Sequence, residues 1–231
     1  MTANEQKTHW PEKMTFKQKL EALRISEDDF HFYTSTFIQD RHRYVIKEAG
    51  QEWKEAKFRN ERNIPLSDDV IAYHLLGKYT IGTIEPRKTQ QFCVTIEHIK
   101  DLGPFYDKIL TYLQTPLIFF DSETRHLFFH THLDFIISPD KLASILSWQL
   151  DHRGIGRCPA PYKIFPGISE FLRLPLGSES YVVDPKSLEA IYPGNEVKGA
   201  IEFMRSHLKR RTFPELFPGL KKNDGYPSHR W

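Results

Sequence analysis

Two cysteines in 231 residues, Cys93 and Cys158, leave no room for a disulfide framework or a four-cysteine zinc knuckle, and Cys93 is expected in the core. No apolar run approaches the roughly 20 residues needed to cross a bilayer. The longest, Pro116 to Phe120 and Leu127 to Phe129, suit buried strands instead. The opening stretch MTANEQKTHWPEK lacks the apolar centre of a signal peptide, so the expected location is cytoplasmic, with no membrane partner. An excess of either charge is missing too. With 32 Lys+Arg against 30 Asp+Glu, the net charge of +2 gives no whole-protein field for nucleic acid, and any binding surface must be local. Internal repeats, a Walker loop, a dinucleotide-binding glycine fingerprint and a Gly-x-Ser-x-Gly elbow are all lacking.

What is present is material for a core. A hydrophobic fraction of 39%, a third of it aromatic, excludes a disordered chain, and the length fits one large domain or a domain with an appendage. Ser67-Asp68-Asp69 reads as the cap and first turn of a helix that Gly77 closes, with the strand YTIGT directly after it. The spacing then predicts a strand over 92–97, a helix over 104–114 and a strand over 116–120. A long strand over 126–137 and a helix over 139–150 follow, then short strands over 171–176 and 181–183 and a helix over 196–209. The order indicates an α+β fold. RGIGRCPAPYKIFP, from Arg153 to Pro166, reads as a long loop.

HTHLDF, from His130 to Phe135, is the most conspicuous cluster of potential ligands. A His-x-His-x-Asp hydrolase wants a second histidine after the aspartate, where this chain has Phe135, so that reading stands as a minor alternative. The plainer account is strand alternation, with His130, His132 and Asp134 on one face and Thr131, Leu133 and Phe135 on the other. RSHLKRR, from Arg205 to Arg211, closes a helix where cations suit the dipole, and nucleic-acid binding is its sharper alternative.

The stretch IPLSDDVIAYHLLGKYTIGT resembles the segment before the catalytic strand of the archaeo-eukaryotic primase superfamily, in particular the primase domain of TOTE conflict systems. Leu66, Asp68, Val70, His74, Leu75, Gly77, Ile81 and Gly82 carry the likeness. YKIFPGISEFLRLPLGSESYVVDP, from Tyr162 to Pro185, is similar to a later family block, and FYTSTFIQDRHRYVIK is more weakly similar to its N-terminal strand. The resemblance spans about residues 32–208. It implies a curved mixed sheet flanked by helices with an N-terminal α/β extension. The expected division is a helical extension over 1–30, a primase-like domain over 31–210 and a tail over 211–231.

Enzymes of this family hold two metals about 4 Å apart with carboxylates on neighbouring strands. The resemblance therefore assigns Glu97 and Asp184 as catalytic metal ligands, with Mg2+ or Mn2+ as cofactor if the chain is active. It also assigns His132 to the incoming triphosphate as a catalytic and nucleotide-binding residue, with His130 in the preceding serine's place and His126 as an alternative. Arg173 and Lys163 are candidate nucleotide or template contacts. The first motif reads FCVTIEHI, so beside Glu97 the second carboxylate is replaced by Thr95 or Ile99. The implied function is a primase-polymerase-like domain, weakened or inactive in catalysis, that binds nucleic acid or nucleotide in DNA replication or mobile-element defence. The alternative is an active DNA primase-polymerase with non-standard metal ligands. Expected partners are single-stranded or template nucleic acid, nucleoside triphosphates, and a helicase or nuclease.

Overall fold

Hydroxyl caps open the first three helices of the computed structural model, which describes residues 14–48, 51–56, 64–97, 103–114, 116–152, 162–167, 171–192 and 196–220. Thr15 accepts the Gln18 amide to start α1 (Phe16–Leu23), while the Gln18 side chain accepts from the Thr15 amide. Ser26 and Asp29 exchange the same pair of bonds at α2 (Glu27–Phe37). Ser67 accepts from Val70 at α3 (Asp68–Leu75), and Gly77 follows with a φ of +77°, as its position after the helix suggests.

The fold is mixed α+β, with seven helices among the described residues and two largely antiparallel sheets. The smaller sheet contains β1 (Tyr44–Glu48), β2 (Lys54–Glu55), β3 (Tyr79–Ile84) and β8 (Phe171–Arg173), in the order β2-β1-β3-β8. The larger contains β4 (Thr89–Ile96), β5 (Leu117–Asp121), β6 (His126–Ile137), β7 (Tyr162–Phe165) and β9 (Ser180–Val182), in the order β7-β4-β6-β5-β9. Its crossover helices are α4 (Gly103–Leu113) and α5 (Pro139–His152). The expected strand-helix-strand unit β4-α4-β5 is present but split, because β6 lies between its two strands. β4 in turn lies between β6 and β7, so two split units interlock in a β-α-β-β-α-β arrangement.

Alternation along these strands separates two cores. Phe92, Val94, Ile96, Leu127 and Phe129 join Ile109 and Leu113 of α4 and Leu142, Leu146 and Leu150 of α5. Leu117, Phe119 and Val182 on the opposite face join Tyr33, Phe37, Leu66, Ile71 and Ile81, and Cys93 is buried on that face too. The small sheet and the N-terminal helices therefore cover one face of the large sheet, and α4 and α5 cover the other.

Four expectations change. A boundary at residue 30 falls inside α2, and Leu20, Leu23 and Phe30 lie in the same core as Ile81, so α1 is no separable extension. The stretch likened to an N-terminal strand is helical as far as Phe37, and its strand starts only at Tyr44. The expected tail begins inside β10 (Arg210–Arg211), which pairs in parallel with β6 after α6 (Val197–His207). α7 (Phe213–Leu216) follows and buries Phe213, Leu216 and Phe217 in the large-sheet core. The loop expected over 153–166 ends in β7, which pairs with β4 from Tyr162 to Phe165, while residues 153–161 lie outside the described ones.

Candidate functional site

His130 and His132 are placed by the alternation of β6 on the face that α2 covers. The Phe37 ring meets both imidazoles edge-on, with centroids 5.5 and 5.6 Å away, and Phe119 meets His130 at 5.1 Å. Only 2% of His130 and 6% of His132 is exposed. Burial pushes His130 down to about 3, helped by its neighbour His132. Burial likewise pushes His132 down to about 4, helped by Arg210. Among the described residues, His130 Nδ1 and His132 Nε2 find no hydrogen-bond partner, and neither does Thr131 Oγ1. Two neutral imidazoles under an aromatic lid are packing elements rather than phosphate receptors, although a narrow crevice edged by Leu208, Lys209 and Arg211 reaches them.

The charged side chains gather at the other end of β6. Ile96 faces Leu127 across β4 and β6, so Glu97, one residue on, belongs at the level of His126. His126 is in register with Asp121 on β5. Lys163, opposite Thr95, forms a 2.5 Å ion pair with Glu97. From the small sheet Arg173, opposite Gly82, donates to the Asp121 carboxylate and the Ser178 carbonyl. Glu123 lies 3.6 Å from the same guanidinium and 2.5 Å from Lys47 Nζ on β1. Asp121 also accepts the Glu123 and Thr124 amides, so its carboxylate shapes the turn while it holds the arginine.

Burial divides this network into a fixed part and an adjustable part. The Asp121 and Arg173 side chains are 1% and 6% exposed, and losing one partner of such a pair strands the other charge in the interior. They brace the two sheets. Lys163 is 51% exposed and its carboxylate partner 19%, so that pair is weak and exchangeable. Lys47, Asp121 and Glu123 were absent from the sequence-derived set, and His126 was only its alternative histidine. The signal that goes unread is the 121–126 segment, whose composition is that of an ordinary turn between strands.

Asp184 lies elsewhere. β6 and β5 intervene between β4 and β9, so three strand spacings, about 14 Å, separate the two edges. The register runs Ile96, Leu127, Phe120, Tyr181, which sets Glu97 level with Ser180 and carries Asp184 four residues further along. Asp184 Oδ1 accepts the amides of Lys186 and Ser187 at 2.8 and 2.9 Å, and these bonds hold its carboxyl below the usual range. Its work is a local turn. Glu97 and Asp184 therefore do not fit a shared pair of metals, and the described residues contain no group of three or more His, Cys, Asp or Glu placed to hold one. Ile99 lies outside the described residues.

His74, a residue of the family-like block, is fully buried with its ring nitrogens 3.1 Å from the Tyr79 and Pro175 carbonyls. A Cβ on Gly177 would come within 2.2 Å of its ring, so the RLPLG segment is packed against this histidine. That accounts structurally for His74 and Gly177 without a ligand. The chain matches no family model and no curated protein.

Proposed function

We propose that the chain is a primase-like module that binds single-stranded nucleic acid or a nucleotide at the junction of its two sheets without two-metal polymerisation. The observation that carries this reading is that basic side chains from four strands of two sheets line one end of the large sheet, with Lys163 on Glu97, His126 level with Glu97 and Asp121, and Arg173 and Lys47 on the β5–β6 turn. Lysine and arginine suit phosphate oxygens, and a phosphate competes readily for an exposed lysine whose present partner is a weakly held carboxylate. The buried Arg173–Asp121 pair positions the two sheets around that contact, and backbone phosphates replace Glu97 and Glu123 on the lysines. Such binding depends on salt through counterion release.

Fluorescence anisotropy of a labelled 20-nucleotide single strand tests the reading, with a fluorescent nucleoside triphosphate as a second ligand. The double substitution Lys47→Glu, Lys163→Glu is expected to weaken binding about tenfold or more and to flatten the salt dependence. Wild-type protein that binds neither ligand, or a double variant that binds as tightly as wild type, overturns it.

A further inference from the structure

Trp53 and Phe171 form a ring pair on the same face of the small sheet from which Lys47 and Arg173 reach across to the β5–β6 turn. Their centroids are 4.7 Å apart and the rings are inclined at 49°. The register establishes the shared face. Val45 pairs with Gly82 and Gly82 with Arg173, so Arg43, Val45, Lys47, Gly82, Phe171 and Arg173 alternate onto one side. The residues facing the core, Tyr44, Ile46 and Ile81, lie on the opposite side.

Gly82 is what lets the pair lie against the sheet. A Cβ there would stand 2.5 Å from the Phe171 ring and 2.7 Å from Val45, so a side chain would lift the aromatic off β3. Both rings are half-buried and keep part of their surface open. Around them the small sheet supplies three cations, each with a carboxylate partner: Arg43 lies 3.7 Å from Glu55, Lys47 is paired with Glu123, and the buried Arg173 with Asp121.

An aromatic surface beside lysine and arginine side chains whose exposed carboxylate partners a phosphate can replace has the two features by which single-stranded nucleic acid is held without sequence preference. Bases stack on the rings while lysine and arginine follow the phosphates. We propose that Trp53, backed by Phe171 over Gly82, is a base-stacking platform for the nucleotide next to the phosphate held at Lys47. The proposal rests on the nucleic-acid reading above and assigns the base contact that reading lacks.

The test uses the full chain with dT20 and rU20, read by anisotropy and by tryptophan emission. Quenching on binding is expected from wild type. Trp53→Ala and Phe171→Leu are each expected to weaken binding at least about fivefold. Trp53→Phe should bind within about threefold of wild type but lose the quenching, so a correctly folded conservative variant decides the matter even where the alanine variant unfolds. DNA and RNA arms that respond alike fit a platform that reads only the base plane.

Wild-type binding that is unchanged in Trp53→Ala and Phe171→Leu, or quenching that persists in Trp53→Phe, overturns the platform and leaves the phosphate junction standing. A polyglutamate chain that competes as well as the oligonucleotide also overturns it, since charge without bases would then suffice. Wild-type protein that binds neither oligonucleotide overturns the platform, and protein that binds neither oligonucleotide nor nucleoside triphosphate overturns both readings.

Discussion

The start and the middle of β6 place three histidines on one face and treat them in opposite ways. His130 and His132 sit buried beneath Phe37, without partners for the nitrogens noted above. His126, four residues earlier, sits level with Asp121 where charges from both sheets meet. Alternation decides which residues share a face, but what covers that face decides their chemistry. A histidine under an aromatic lid is a stability element sensitive to acid. A histidine level with Glu97 and Asp121 sits among charged groups instead.

Acid gives the largest effect by which this contrast can be broken. His74, His130 and His132 have folded-state values of about 4, 3 and 4, all depressed by burial, against about 6.5 when unfolded. Below pH 6.5 the unfolded chain takes up protons that the folded chain refuses. Stability is therefore complete above that value and falls as the pH drops toward the folded values. Each histidine contributes between about 1 and 2 kcal/mol of loss from pH 6.5 to pH 5, or about 5 kcal/mol together. Urea midpoints at the two pH values should differ accordingly, and a flat profile would remove the buried-histidine account.

Asp121→Ala comes next, because it leaves the Arg173 guanidinium buried and unpaired. A loss of about 3–5 kcal/mol is expected from urea unfolding, and a loss below about 1 kcal/mol would mean that the brace is not one.

His130→Leu is expected to have a smaller effect of opposite sign. Removing a buried imidazole whose Nδ1 has no partner should leave stability at pH 7 unchanged or raise it by about 1 kcal/mol, and should shallow the acid profile by about one histidine's share. Marked destabilisation at pH 7 would show that the ring makes contacts a leucine cannot replace. Glu97→Gln should be smallest, within about 1 kcal/mol, since its lysine partner is half exposed. A larger cost would move Glu97 from the adjustable part of the junction to the fixed part.

Much of the fold was legible because local signals agreed. The Ser67 cap, Gly77, the alternating 126–137 strand and the helix after Pro139 all lie where the sequence pattern puts them. β7 was not legible, because a four-residue strand after a run rich in glycine and proline is defined by its distant partner β4 and by nothing local. FYTSTF has β-prone residues but is helical, since the reciprocal Ser26–Asp29 cap and burial of Tyr33 and Phe37 outweigh propensity. The site was legible only in pieces. Lys163, Arg173 and Glu97 could be singled out as residue types, whereas Asp121 and Lys47 become partners only through the meeting of two sheets. Strand order, which no spacing encodes, is what separates Glu97 from Asp184.

That separation is the central claim, and manganese-supported primer extension with labelled nucleotides tests it most directly, comparing wild type with Asp184→Ala. The account predicts no extension by either protein, with both still binding the primer. Manganese-dependent extension by wild type that is lost in Asp184→Ala would contradict it, because Asp184 would then be serving a metal centre that the strand order keeps out of Glu97's reach.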